Sequence, residues 1–176
     1  MNEFLMQLSY LIFPRRCFFC GVVVAPSVEA CAKCQASVER VEPPVCLYCG
    51  CGKNTCDCNR RRRFFSAAAA PFYYTGAVRS CLFRFKFSGK SALSKELGGE
   101  MAKTVKSTLG AMSFDLATCV PMRKVNEKSR GYNQSALLCA EVAKQLEIDC
   151  DGALLQKLYD TPNQHDQPVY RRSGNV

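Results

Sequence analysis

Residues 119–138, CVPMRKVNEKSRGYNQSALL, decide the fold. Just before them, DLATCVP (115–121) is a short, nearly continuous apolar run ended by Pro121, as suits a strand buried in a parallel sheet. Just after, SALLCAEVAKQLEI (135–148) returns as a helix with Leu138, Val142 and Leu146 on one side. A further strand is expected at ALLQKLYD (153–160). This is the β-α-β order of an α/β domain, whose ligands gather at the carboxyl ends of strands. The connection crowds Arg123, Lys124, Lys128 and Arg130 into that position. Asn133 or Ser135 can cap the helix, and Gly131 can take positive φ or let backbone approach a ligand. Free amides at a helix start favour an anion, so phosphate is the expected guest. A solvated basic loop before an ordinary capped helix is the alternative.

Moving towards the N-terminus, SALSKELGGEMAKTVKSTL (91–109) reads as a helix with Leu93, Leu97, Met101 and Val105 inward. Gly98 and Gly99 each cost it ~1 kcal/mol, which points to close packing rather than a ligand. In AVRSCLFRFKFSGK (77–90), Val78, Leu82 and Phe85 form an apolar stripe at helical spacing. Arg79, Phe83, Lys86 and Lys90 form a second stripe, basic with one aromatic. AAAAPFYYTG (67–76) reads as an edge strand, because Pro71 would break a central one.

Nine of the thirteen cysteines fall between Cys17 and Cys58, and eight of them form close pairs: Cys17 and Cys20, Cys31 and Cys34, Cys46 and Cys49, Cys56 and Cys58. Each pair can present two thiolates from one tight turn to a shared zinc at ~2.3 Å. Gly21 and Gly50, after the first and third pairs, relieve the turns. Sequential pairing gives two closed four-thiolate sites. Cys51 could replace Cys56 or Cys58, and a cross-braced pairing of first with third stays open. Closed sites of this kind are structural: two zinc ions hold the segment folded and do no chemistry.

Net charge is +9, from 24 basic and 15 acidic residues, and both halves of the chain are basic. The partner is therefore anionic: nucleic acid, a phosphorylated metabolite or a membrane surface. Arg60, Arg61, Arg62 and Arg63, beside Phe64 and Phe65, mark the boundary between the cysteine segment and the body. With Arg79, Lys86 and Lys90 they are candidate contacts for single-stranded nucleic acid, the alternative being a solvated linker. MNEFLMQLSYLIFP lacks a basic n-region and a cleavage site, and reads as one amphipathic helix with Phe4, Leu5, Leu8, Leu11 and Ile12 at helical spacing. No apolar run reaches the ~20 residues of a spanning helix. A cytosolic protein is expected. His165, the lone histidine, receives no catalytic role.

The order LIFPRRCFFCG, CAKC, CLYCG, CDC, then FYYTGAVRSCLFRFKFSGKSALSKELG, DLATCVPM, RGYNQSALL and TPNQ…RRSGNV resembles the competence protein F (ComF) family essentially end to end. RGYNQ after a strand ending in Val-Pro is the most specific part. The resemblance implies an N-terminal helix and double zinc ribbon over 1–63, then a phosphoribosyltransferase-like α/β domain over 64–176, incomplete at the C-terminus. It implies that 122–134 is the pyrophosphate-side loop, with Arg123, Lys124, Arg130, Gly131, Tyr132, Asn133 and Gln134 binding phosphate, and that 160–175 lies in the flexible hood. It also implies a role in DNA uptake and natural transformation, at the cytoplasmic side of the inner membrane. Partners would be single-stranded DNA, other DNA-uptake proteins and a phosphoribosyl ligand. Family members continue into an acidic strand and a Thr-Thr-Gly loop that cradles phosphoribosyl pyrophosphate; this sequence has neither, so transferase activity is not expected of it as it stands. A full-length form would use Mg2+ with phosphoribosyl pyrophosphate. Two other readings compete: a phosphoribosyltransferase of nucleotide salvage, and a zinc-ribbon adaptor that docks another protein.

Overall fold

The computed structural model describes residues 10, 12–58, 64–158 and 168. The expected helix of residues 4–12 (Tyr10 and Ile12 excepted), Arg60 to Arg63, and the hood with His165 lie outside the described residues. Two cysteine knuckles come first, each a tight turn closed by an isolated antiparallel bridge, Arg16 to Val23 and Val45 to Gly52. Between them runs a short helix α1, Ala32–Ser37, and after the second knuckle a single 3-10 turn, Lys53–Thr55. Helices α2, Gly76–Phe87, and α3, Leu93–Leu109, follow. A β-α-β unit closes the described chain: β1, Leu116–Ala117; α4, Lys124–Arg130; α5, Gln134–Leu146; and β2, Asp149–Cys150.

β1 and β2 pair in parallel, Leu116 with Asp149 and Ala117 with Cys150, and the amide of Asp151 extends the ladder to the Ala117 carbonyl at 3.0 Å. α5 packs across both strands and against α3. A Cβ on Gly98 would sit 2.6 Å from Glu141 Cβ, so the expected close packing at this glycine is where α3 and α5 touch.

The main core is shared between the first knuckle and the body. Cys17, Phe19, Ala30 and Cys34 bury against Val78, Cys81 and Phe85 of α2 and Leu97 of α3. Glu100 of α3 meets Arg40 at 2.6 Å and Lys103 at 2.7 Å, and Arg40 also lies over the Phe72 ring at 4.9 Å. Burial opposes ionisation of Glu100, but the two cations outweigh it and hold the carboxyl below its ordinary range.

Several sequence expectations are corrected. Residues 67–76 form no strand; they lie along the cysteine segment, with a bridge from Arg40 to Phe72 and the Ala68 amide on the Leu47 carbonyl at 2.8 Å. Four alanines give a sheet only methyl groups to pack, so the backbone serves as a seam. Residues 153–158 are turn and coil; the strand lies just upstream at Asp149–Cys150. Met101 is 37% exposed rather than inward, and Ala102 takes the buried place. The connection 122–134 is not a plain loop, since α4 occupies most of it.

Candidate metal centres and the basic face

Cys17, Cys20, Cys31 and Cys34 bring their sulfurs within 4.8 Å of one another, and so do Cys46, Cys49, Cys56 and Cys58. The pairing is sequential, not cross-braced. Cys51 stays out of the second group, and its carbonyl instead accepts the Cys46 amide at 2.7 Å. Four sulfurs at ~2.3 Å from a tetrahedral zinc lie ~3.8 Å apart. Cys20 and Cys31 are 3.8 Å apart, Cys46 and Cys58 3.8 Å, and Cys49 and Cys56 3.5 Å. The donor sets therefore fit structural zinc. The tight C-x-C spacing shows as a shorter approach of Cys56 to Cys58, 3.2 Å.

The first cysteine of each knuckle is drawn towards thiolate, while burial raises Cys34. Burial pushes Cys17 up, but amides around the turn and at Cys31 outweigh it and bring it down to about 6. In the second group, amides of Cys49 and Tyr48 lower Cys46 to about 6, while sharing with Cys56 raises Cys58 to about 12. Gly21, at φ +81°, turns the first knuckle, and a Cβ there would meet the Arg84 guanidinium at 2.8 Å.

Arg84 explains that contact. From α2 it donates to the Phe18 carbonyl at 3.3 Å and the Phe19 carbonyl at 3.0 Å, and the Cys81 thiol joins it on Phe18 at 3.4 Å. A helix thus clamps the backbone between the first two ligands. Sequence reading missed this residue; its signal is a cation three positions after Cys81, beside the stripe of Val78, Leu82 and Phe85.

The RGYNQ block does something its sequence does not announce. The last carbonyls of a helix have no partner within it. At the end of α2, the Phe85 carbonyl accepts from the Tyr132 hydroxyl and the Lys86 carbonyl from the Gln134 amide at 3.3 Å. Burial raises the Tyr132 phenol, which keeps it a donor. Asn133 caps α5 by accepting the amides of Ser135 at 3.0 Å and Ala136 at 3.4 Å. Gly131, at φ +82°, ends α4. Of the seven residues expected to hold phosphate, Tyr132, Asn133 and Gln134 have their polar groups turned to these tasks, and two amides at the start of α5 are taken. Arg123 and Lys124 stand at the start of α4 and Arg130 at its end.

Arg130 reaches the other candidate site. Its guanidinium lies 5.0 Å from the Phe87 ring centroid, and Phe87 lies 5.0 Å from Phe83. Both rings are exposed, Phe83 at 60% and Phe87 at 57%, among exposed Arg79, Lys86 and Lys90. α2 carries no acidic residue. Phe87 was absent from the sequence reading, although it sits four residues after Phe83 on the same helix.

No helix among the described residues is long and apolar enough to cross a membrane. A family model, the double zinc ribbon domain, matches residues 8–63. Competence protein ComFC of Bacillus subtilis (strain 168) is 22% identical over 66% of this chain and 52% of its own length, so the match spans about half of that relative. The DNA utilization protein YhgH of Escherichia coli (strain K12) is 22% identical, and that of Salmonella typhimurium 26%, each over 94% of this chain and 77% of its own length. No solved structure matches the chain. A double zinc ribbon at residues 8–63, and similarity to competence and DNA utilization proteins that runs on through the body, bear out the resemblance of this chain to the competence protein F family.

Proposed function

We propose that this protein serves DNA uptake or utilisation by holding single-stranded DNA on the basic aromatic face of α2. The observation that carries the reading is the exposed pair Phe83 and Phe87, capped by Arg130 and set among Arg79, Lys86 and Lys90. Bases stack on such rings at ~1–3 kcal/mol each whatever their identity, while the cations follow the backbone. Arg60, Arg61, Arg62 and Arg63 add charge at the boundary between a ribbon domain of 1–63 and a body of 64–176. The relatives' printed names, competence protein and DNA utilization protein, favour DNA as the polymer. In this reading the protein works in the cytoplasm, beside the inner membrane, with other DNA-uptake proteins.

Fluorescence anisotropy with a labelled oligothymidine across a salt series tests it. Phe83→Ala with Phe87→Ala should weaken binding tenfold or more at every salt concentration and leave the slope against salt unchanged. Replacing the four arginines of 60–63 by serine should flatten that slope, by ~0.7 per lost phosphate contact. Unchanged affinity in the double phenylalanine variant would remove α2 as the platform.

A phosphoribosyl ligand is the second reading. It is favoured by the place of Arg123, Lys124 and Arg130 beyond the carboxyl end of parallel β1. The grip would come from these cations, with Mg2+ as the ligand's counterion. Calorimetry with phosphoribosyl pyrophosphate should then give weak, millimolar binding that Arg123→Ala abolishes; binding indifferent to that change would end this reading.

A further inference from the structure

Five cysteines lie outside the two metal groups: Cys51, half-buried in the second knuckle, and Cys81, Cys119, Cys139 and Cys150 in the body. Cys81 is engaged with the first knuckle, and Cys119 is buried with its thiol on the Gly152 carbonyl at 3.6 Å. The other two meet. Cys139 is buried on α5, Cys150 is exposed on β2, and their Sγ atoms are 3.5 Å apart. The fold brings them there, because the parallel register sets Cys150 beside Ala117 and α5 lies across both strands. Cys119 does not join them as a third close ligand, so the arrangement lacks the donor set of the ribbon sites.

We propose that Cys139 and Cys150 form a redox-active dithiol that closes to a disulfide on exposure to peroxide. The asymmetry of the pair sets the order of events. Exposed Cys150 meets the oxidant: its sulfur attacks one peroxide oxygen, the O–O bond breaks, and a sulfenic acid forms as the first water leaves. Cys139, whose thiol burial pushes up to about 12, keeps its proton until that moment. Its sulfur then attacks the Cys150 sulfur, the S–O bond breaks, and the departing oxygen takes the proton as the second water. Two thiols supply two electrons and one peroxide becomes two waters. Closing the bond shortens the separation to ~2.05 Å. The product ties β2 covalently to α5, so oxidation stiffens the β-α-β unit next to the connection carrying Arg123 and Arg130.

The test uses the zinc-loaded full chain, titrated with hydrogen peroxide, alkylated and digested with trypsin without reduction. Cleavage after Lys144 separates Cys139, in residues 131–144, from Cys150, in residues 145–157. The expected result is a linked 131–144/145–157 pair that appears before zinc is released, disappears with dithiothreitol and is absent from Cys150→Ser. In Cys139→Ala, dimedone should trap the sulfenic acid on Cys150. A link from Cys150 to residues 107–123, which carry Cys119, would overturn the assignment. So would sulfinic acid accumulating on Cys150 while 131–144 stays unlinked, or zinc release preceding the link.

Discussion

Gly98 and Gly99 are neighbours in α3, and both interrupt a helix that alanine would favour by ~1 kcal/mol per position. Their surroundings differ. A Cβ on Gly98 would meet Glu141 Cβ at 2.6 Å, an atom fixed to the α5 backbone, and Cγ at 2.7 Å. One on Gly99 would meet only the Gln145 side-chain amide, at 3.2 Å, which can swing away. Overpacking of the first kind costs ~1–3 kcal/mol, more than the propensity gained. Gly98→Ala should therefore destabilise the protein and Gly99→Ala should stabilise it by up to ~1 kcal/mol, read as opposite shifts in thermal midpoint. Two shifts of the same sign would mean that α3 and α5 can separate at no cost. From sequence the pair reads as one packing feature; the distinction needs the crossing point of two helices, which no local pattern carries.

At the scale of elements, α2 joins the first knuckle to the RGYNQ block. Its start and middle bury Val78, Cys81 and Phe85, Arg84 grips the first knuckle, and Tyr132 and Gln134 cap its end. Hydrogen bonds from a charged donor contribute ~1.5–3 kcal/mol, so Arg84→Ala should speed amide exchange across 76–87 by tenfold or more. Zinc content should remain at two, because all eight sulfur ligands remain; loss of one equivalent would make Arg84 part of the metal site's support. Periodicity found α2, α3 and α5 because each buries a face, as Leu97 and Cys139 illustrate. It missed α4 for the complementary reason. KVNEKSR has no buried residue, and Val125, its one apolar side chain, is exposed. The strand within 115–121 was read correctly, but the one after α5 was misplaced because Leu154 and Leu155 read as apolar strand residues yet lie exposed in a turn, while paired Asp149 and Cys150 look like a helix end. Cysteine spacing alone located both metal groups, but it could not choose between cross-braced and sequential pairing.

On the whole-molecule scale the two metal groups are unequal. Cys17 and Cys34 are 1% and 4% exposed and belong to the core that contains Val78, Phe85 and Leu97. All four ligands of the second group are partly exposed and lie outside that core. Zinc binding free energy is folding free energy in both, but only the first is coupled to α2 and its basic aromatic face. A strong chelator should accordingly remove zinc in two phases. The first equivalent should leave from Cys46, Cys49, Cys56 and Cys58 with little change in helix content or in single-stranded DNA binding. The second should leave from Cys17, Cys20, Cys31 and Cys34 and take DNA binding with it, because α2 then loses the surface it packs on. Zinc release followed by an indicator dye, with circular dichroism and anisotropy on the same sample, resolves the two steps. Cys56→Ser should abolish the first phase and keep the second. A single concerted release, with helices and DNA binding lost at the first equivalent, would show that the second group supports the body as much as the first.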